Sequence, residues 1–250
     1  MLRRAVELGV NHVDTAAFYF TPLRSANEPI NRALAPHPED LVITTKVGPG
    51  RDPWGQWMPR ATPEQLRGQV EENIRQLGLE HLDVVNLRVQ DSGSIAEHFG
   101  VLSELRQAGL IRQLGISEIT LEQLDEAQSI APVVCVQNRC GVDQRGENDE
   151  ILRICGERGV AFVPFFAISG SSQASGASAV ERDELVALAR ARGVTPAQVR
   201  LAWTLQRGPH GLAIPGTGNP EHLAENVAAG AMRFSGEELA VLNAIDESAN

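Results

Sequence analysis

The segment Leu41–Gly48, LVITTKVG, is a run of apolar and β-branched residues that ends on a lysine, and its company along the chain decides the fold. Runs of the same kind recur as NHVDT from Asn11, DVVNLR from Asp83, QLGIS from Gln113, VVCVQN from Val133, AFVPFF from Ala161 and GLAIPGT from Gly211. Between them lie helical patterns at Ala26–Ala35, Thr62–Leu77, Ile95–Ala108, Leu121–Ile130, Asp149–Arg158, Ala179–Arg192 and Pro220–Ala229, with a last one at Gly236–Ile245. Thr62-Pro63-Glu64, Thr120-Leu121-Glu122 and Thr195-Pro196 start helices with cap, proline or first-turn acid. Gly78, Gly109, Gly159 and Gly193 follow helices, where a left-handed cap belongs. Short strands alternating with helices at a spacing of roughly 30 residues predict βα units on a parallel sheet, hence an α/β fold. No linker or low-complexity tract divides residues 1–250, so one domain is expected.

Composition narrows the function. A net charge of −10 over 250 residues opposes binding to a polyanionic nucleic-acid backbone. No run approaches the ~18 apolar residues of a membrane span. MLRRAVELGV carries two arginines, but Glu7 interrupts the apolar stretch and no small-residue cleavage site follows, so it reads as a helix. Cys135, Cys140 and Cys155 fit neither a disulfide framework nor a zinc pattern, and a reducing cytoplasm follows.

The chemistry concentrates at Asp14, Tyr19, Lys46 and Arg88, at or just beyond the ends of three successive strand runs. A barrel enzyme assembles its site from such C-terminal strand tips. A free tyrosine titrates near ~10 and is a poor acid at neutral pH. A neighbouring ammonium held charged by a carboxylate favours the phenolate. Arg88 reads in two ways: as an inward charge paired with Asp14 or Glu118, or as a fixed donor to a carbonyl oxygen, carboxylate or phosphate.

At Asp14-Thr15-Ala16 with Tyr19, and at Thr45-Lys46, the chain resembles the aldo-keto reductases. The wider wording, LDVVNLR, GIS, VCVQN, FVPFF and IPGTGNPEHLAENV, looks most like the bacterial branch that includes pyridoxal reductases, up to about Asp246. The resemblance implies a (β/α)8 TIM-type barrel. Seven strand runs follow the helix Leu2–Leu8, so the first β-strand and the floor hairpin are expected to be absent. Seven parallel strands are then expected, and an open barrel would favour a homo-oligomer or low stability. The mouth is expected to be bounded by the Pro49–Arg60 and Ser169–Ala179 loops.

The same resemblance makes Tyr19 the general acid, supported by Lys46 and Asp14, with Arg88 where a histidine is usual. It gives a nicotinamide site to Ser117, Glu118 (usually asparagine) and Gln137, beside Asn138, with Phe165 stacked on the ring. There is no GxGxxG, so a Rossmann domain is not expected. Gly216, Thr217 and Gly218 open the helix after the last run, a natural phosphate site, and Glu225 and Asn226 match the pair that meets adenine. Thr217–Asn226 contains no Lys or Arg, which weakens discrimination for a 2′-phosphate, so the cofactor is NADP with NAD as the alternative. The implied activity is reduction of an aldehyde or ketone, pyridoxal-like in this branch. The alternative is a non-redox relative: a lyase, cyclase, dehydratase or binding protein. Trp54 and Trp57 either pack their loop or face a planar substrate; Trp203, at helical spacing with Val199, reads as core; His222 reads as a surface residue.

Overall fold

The computed structural model describes residues 1–21, 24–52, 54–143, 145–168 and 182–245. They fall into two compact units, Leu2–Gln137 and Asn138–Asn250 with Met1. The first contains α1 (Leu2–Glu7), β1 (His12–Asp14), a hairpin of β2 (Phe20–Thr21) and β3 (Arg24–Ser25), α2 (Asn27–Leu34), β4 (Val42–Val47) and α3 (Pro63–Leu77). It continues with β5 (Leu82–Arg88), α4 (Ala96–Gln107), β6 (Ile111–Ser117), α5 (Leu121–Ile130) and β7 (Val133–Gln137).

Five strands of this unit pair in parallel in the order β1-β4-β5-β6-β7, with β1 at the edge. Successive side chains of a strand point to opposite faces, so register sorts the residues. Asp14 pairs with Thr44, Lys46 with Asn86, Arg88 with Ser117, and Ser117 with Gln137. Polar and charged groups thereby gather on one face, at the C-terminal strand ends. The other face carries Ile43, Val85, Leu87, Leu114, Ile116 and Val136, all buried along with Leu66, Val70, Phe99, Leu102 and Leu124 of the helices. Each such side chain contributes about 1.5–3 kcal/mol on full burial.

Local chemistry fixes the helix ends. Thr62 and Thr120 each form a capping box, exchanging bonds with Gln65 and Gln123. Gly78 closes α3 at φ 67°, where a side chain would also meet the Asn31 amide 2.6 Å away. Gly115 is required by space: an added Cβ would lie 2.0 Å from Asn86 Oδ1 and 2.5 Å from Cys135 Sγ. Those two atoms meet over the glycine, the thiol donating to the amide oxygen at 3.2 Å.

The second unit contains α6 (Glu147–Glu157), β8 (Ala161–Phe162), α7 (Asp183–Arg192), α8 (Pro196–Leu205), α9 (Pro220–Ala229) and α10 (Gly236–Asn243). Trp203, the expected core residue, packs with Val142, Leu185, Val199 and Leu242. Its indole donates to Asn243 Oδ1 at 2.8 Å, which satisfies its one polar atom. Arg200 and Asp143 form a 2.8 Å ion pair with side chains only 1% and 9% exposed.

Six of the seven expected strand runs form strands, and the seventh does not. GLAIPGT is reduced to a parallel bridge between Phe162 and Gly211, and its ladder ends with Leu212 N–H donating to Phe162 O at 2.9 Å. Pro215, with no N–H, and the glycines around it are poor ladder residues. Pro164 likewise holds AFVPFF to the two residues of β8. The hairpin β2–β3 was not expected. The Ser169–Ala179 loop and the first residues of the Ala179–Arg192 pattern lie outside the described residues.

Candidate active site

In the Leu2–Gln137 unit, Lys46 is the centre of the site. Its side chain is 4% exposed, and its ammonium donates to Asp14 Oδ1 at 2.5 Å and to the Thr15 carbonyl at 2.9 Å. Thr45 next to it and Thr15 lie on the opposite face, where their hydroxyls donate to Asn73 and Asn27 at 2.8 and 2.9 Å. Asn27 donates in turn to Asn73 at 2.8 Å. This buried amide network anchors both backbones that frame the lysine. A buried ammonium is tolerated only with such a set of acceptors.

Tyr19 sits one turn beyond β1. Its N–H donates to Ala16 O at 3.0 Å, its carbonyl accepts from Ala26 N–H at 2.7 Å, and the β2–β3 hairpin follows directly. Phe18 packs edge-on against its ring at 5.3 Å, and Lys46 Nζ lies 5.0 Å from the ring centroid. The residue is 43% exposed, and its hydroxyl makes no hydrogen bond among the described residues. The phenol is thus held by its ring and backbone, with its O–H open to a substrate.

Arg88 pairs with Glu118 at 2.6 Å, both side chains partly buried at 19% and 29% exposure. Of its two expected carboxylate partners it is Glu118, not Asp14, that the structure provides. Glu118 adopts φ 58°, a left-handed backbone that is unfavourable for glutamate and easy for asparagine. Ser117 and Gln137 are each 1% exposed, and Gln137 Nε2 donates to Asp14 Oδ2 at 2.9 Å. The site therefore brings Asp14, Tyr19 and Lys46 into contact, attaches Gln137 to them, and pairs Arg88 with Glu118 in the same row of strand ends.

The loop 49–60 returns on itself through an antiparallel bridge of Arg51 with Trp57 and a Met58 N–H to Gly50 O bond at 3.0 Å. Trp57 packs on Phe18 at 5.2 Å and under the Arg51 guanidinium at 3.9 Å, which favours the loop-packing reading for this residue. Trp54 is 83% exposed and packs nothing of that kind.

In the second unit, Phe165 stacks edge-on with Phe166 at 5.0 Å, and Arg139 lies over both rings. Gly216 and Gly218 have open space where a Cβ would stand. The amides of Gly216, Thr217 and Gly218 make no hydrogen bonds among the described residues. The first turn of α9 contributes less: Pro220 has no N–H, and Glu221 and Leu223 donate to the Asn219 side chain and carbonyl. The loop amides, rather than the helix end alone, are the anion donors here. Asn226 is buried and Glu225 half-buried.

Two participants escaped the sequence reading. His12, two residues before Asp14 and so on the same face, bonds to Thr44 Oγ1 at 2.8 Å, and burial pushes its pKa below the usual 6.5. The strand period was the available signal. The Thr15 carbonyl, a backbone acceptor, leaves no mark in a sequence.

The description of the Aldo/keto reductase family matches residues 1–247. The chain is 41% identical over 252 residues to pyridoxine 4-dehydrogenase of Escherichia coli (strain K12), covering 98% of this chain and 85% of that protein. Among solved structures it is similar to an aldo-keto reductase from Klebsiella pneumoniae in complex with NADPH, at 26% identity, TM-score 0.81, and coverage of 96% and 81%. A thermostable aldo-keto reductase in complex with the inhibitor epalrestat matches at 27% identity, TM-score 0.81, and coverage of 98% and 85%.

Proposed function

Because the chain belongs to the aldo/keto reductase family, we propose that it reduces a pyridoxal-like aldehyde, with Tyr19 as the general acid. The protein is an oxidoreductase of the α/β, (β/α)8-type fold class, acting on a carbonyl group, and its cofactor is NADP(H). The observation that carries the assignment of the acid is the contact set Asp14–Lys46–Tyr19, with a phenol hydroxyl left open beside a buried ammonium.

When bound, NADPH would supply a hydride to the carbonyl carbon. Tyr19 gives its proton to the carbonyl oxygen, and Lys46 stabilises the phenolate that remains. Asp14 pairs with the buried ammonium at 2.5 Å and holds it in place. Arg88, through a guanidinium that keeps its proton at ordinary pH, orients the carbonyl as a fixed donor. Ser117, Glu118 and Gln137 would hold the carboxamide, Phe165 would cover the ring, Gly216, Thr217 and Gly218 would receive phosphate, and Glu225 and Asn226 would meet adenine. The open loop amides and the open acceptor of Gln137 suit these groups. Nothing in the site or in these relatives favours the non-redox alternative.

We read residues 1–250 as one domain, since one family description runs through 1–247. A reducing cytoplasm suits three buried cysteines that form no disulfide among the described residues. No helix of the described residues is long and apolar enough to cross a membrane. A homo-oligomer remains part of the proposal, to be read by light scattering. The test of function is NADPH consumption by the purified protein over an aldehyde panel that includes pyridoxal, beside a fluorescence titration with NADPH and NADH. Binding of neither dinucleotide, with no aldehyde reduced, would refute it.

A further inference from the structure

We propose that Gln137 is a positioning residue for the proton-donating group: its amide fixes the Asp14 carboxylate, and through it the Lys46 ammonium beneath Tyr19. This rests on the reading of Tyr19 as the acid and adds to the carboxamide contact given to Gln137 above.

An ionised carboxylate only accepts hydrogen bonds, whereas an amide has a donating and an accepting end. Asp14 Oδ1 already receives the Lys46 ammonium at 2.5 Å, and Gln137 Nε2 stands 2.9 Å from Oδ2. The reversed amide would set two oxygens against each other in a site where Gln137 is 1% exposed and the Asp14 side chain 10%. The orientation of the amide is therefore dictated by chemistry. Both carboxylate oxygens are engaged, so the carboxylate cannot rotate away from the lysine.

The same constraint aims Oε1 away from Asp14, and this oxygen makes no hydrogen bond among the described residues. It would be free to accept from the carboxamide N–H of the dinucleotide. One rigid amide then joins the cofactor to the carboxylate that holds the ammonium, so the charge beneath Tyr19 is set most firmly when the dinucleotide is bound. Residues 14 and 137 are 123 positions apart, on β1 and β7, so the bond also ties the two outer strands of the unit's parallel sheet.

Double-mutant cycles test this directly, because the part of a residue's effect that passes through another is lost when that other is gone, while the carboxamide contact is read separately in the KM for NADPH. Gln137→Leu keeps the bulk and removes the donor. Its kcat on the accepted aldehyde is expected to fall at least about tenfold, the cost of a hydrogen bond to a charged group, while the substrate KM moves little. In an Asp14→Asn background the same change is expected to cost less than about twofold. Gln137→His, which retains a ring N–H donor, is expected to recover part of kcat. Equal losses of kcat in both backgrounds, or a loss confined to NADPH affinity, would overturn the proposal.

A second cycle, on urea unfolding of the apoprotein, reads the contact without turnover. Coupling between positions 14 and 137 supports it, and additivity refutes it. Failure of the functional reading looks different: no variant or wild-type protein would oxidise NADPH, while the unfolding cycle would still report on the bond.

Discussion

Glu118 sets the net charge around Arg88, so its neutralisation has a calculable consequence. Glu118→Gln keeps the shape and removes one negative charge from a pair at 2.6 Å whose side chains are 19% and 29% exposed. For an anion held about 6 Å from that carboxylate, the removed repulsion is about 3 kcal/mol at an effective dielectric of about 20. Solvent at a quarter-exposed site screens roughly half of it, leaving about 1.4 kcal/mol, a factor of about ten. Inhibition of aldehyde reduction by a small carboxylate such as benzoate should therefore tighten about tenfold in Glu118→Gln. The developing oxyanion of the substrate gains from the same change, so kcat/KM for a simple aldehyde should rise severalfold. The pair is only partly buried, and desolvation cancels much of its attraction, so unfolding in urea should register a loss of about 1 kcal/mol at most. An inhibition constant and kcat/KM both unchanged from wild type would show that the Arg88 guanidinium does not face the reacting oxygen.

Other consequences follow from particular contacts. Asp143→Ala should destabilise the protein by about 3–5 kcal/mol in urea, because it removes the carboxylate 2.8 Å from a guanidinium whose side chain is 1% exposed; a loss below about 1 kcal/mol would contradict the buried pair. His12 has its pKa lowered by burial, so the unfolded chain binds the extra proton first and stability declines as pH falls below 6.5. Comparing urea midpoints at about pH 8 and about pH 5.5, His12→Gln should show a smaller decline than wild type. With no Lys or Arg in Thr217–Asn226, the kcat/KM preference for NADPH over NADH should stay under about tenfold, less than a charge-assisted contact to the 2′-phosphate supplies. A preference above a hundredfold would locate a cation elsewhere.

What the sequence made legible was what local patterning controls. LVITTKV and DVVNLR became β4 and β5 because β-branched runs fit a buried pleat, and their terminal Lys46 and Arg88 stand at adjoining strand ends as the period requires. Thr62, Thr120 and Thr195 capped their helices, each with a glutamine three residues on completing the box. GLAIPGT misled because hydrophobicity alone reads as strand, while Pro215 and its glycines deny the ladder its donors. The β2–β3 hairpin, two residues to a strand, is too short to carry a pattern. In the site, residue types and spacing pointed to Asp14, Tyr19 and Lys46. The bond from Gln137 joins strands far apart in the chain, and the Thr15 carbonyl is backbone, so neither shows in local sequence. Arg88 pairs with Glu118 rather than Asp14, and Glu118 has a positive φ; both are matters of three-dimensional placement that residue types do not carry.

In the proposed reaction the Tyr19 hydroxyl, and no other group, delivers the proton to the carbonyl. Its most direct test is the single-turnover rate of NADPH oxidation with pyridoxal, comparing wild type with Tyr19→Phe. The hydroxyl has no hydrogen-bond partner among the described residues and the residue is 43% exposed, so the change should leave the fold and the dinucleotide affinity intact. The rate should fall by at least about a hundredfold, as for loss of a general acid. A phenylalanine variant that reduces pyridoxal at close to the wild-type rate would contradict it.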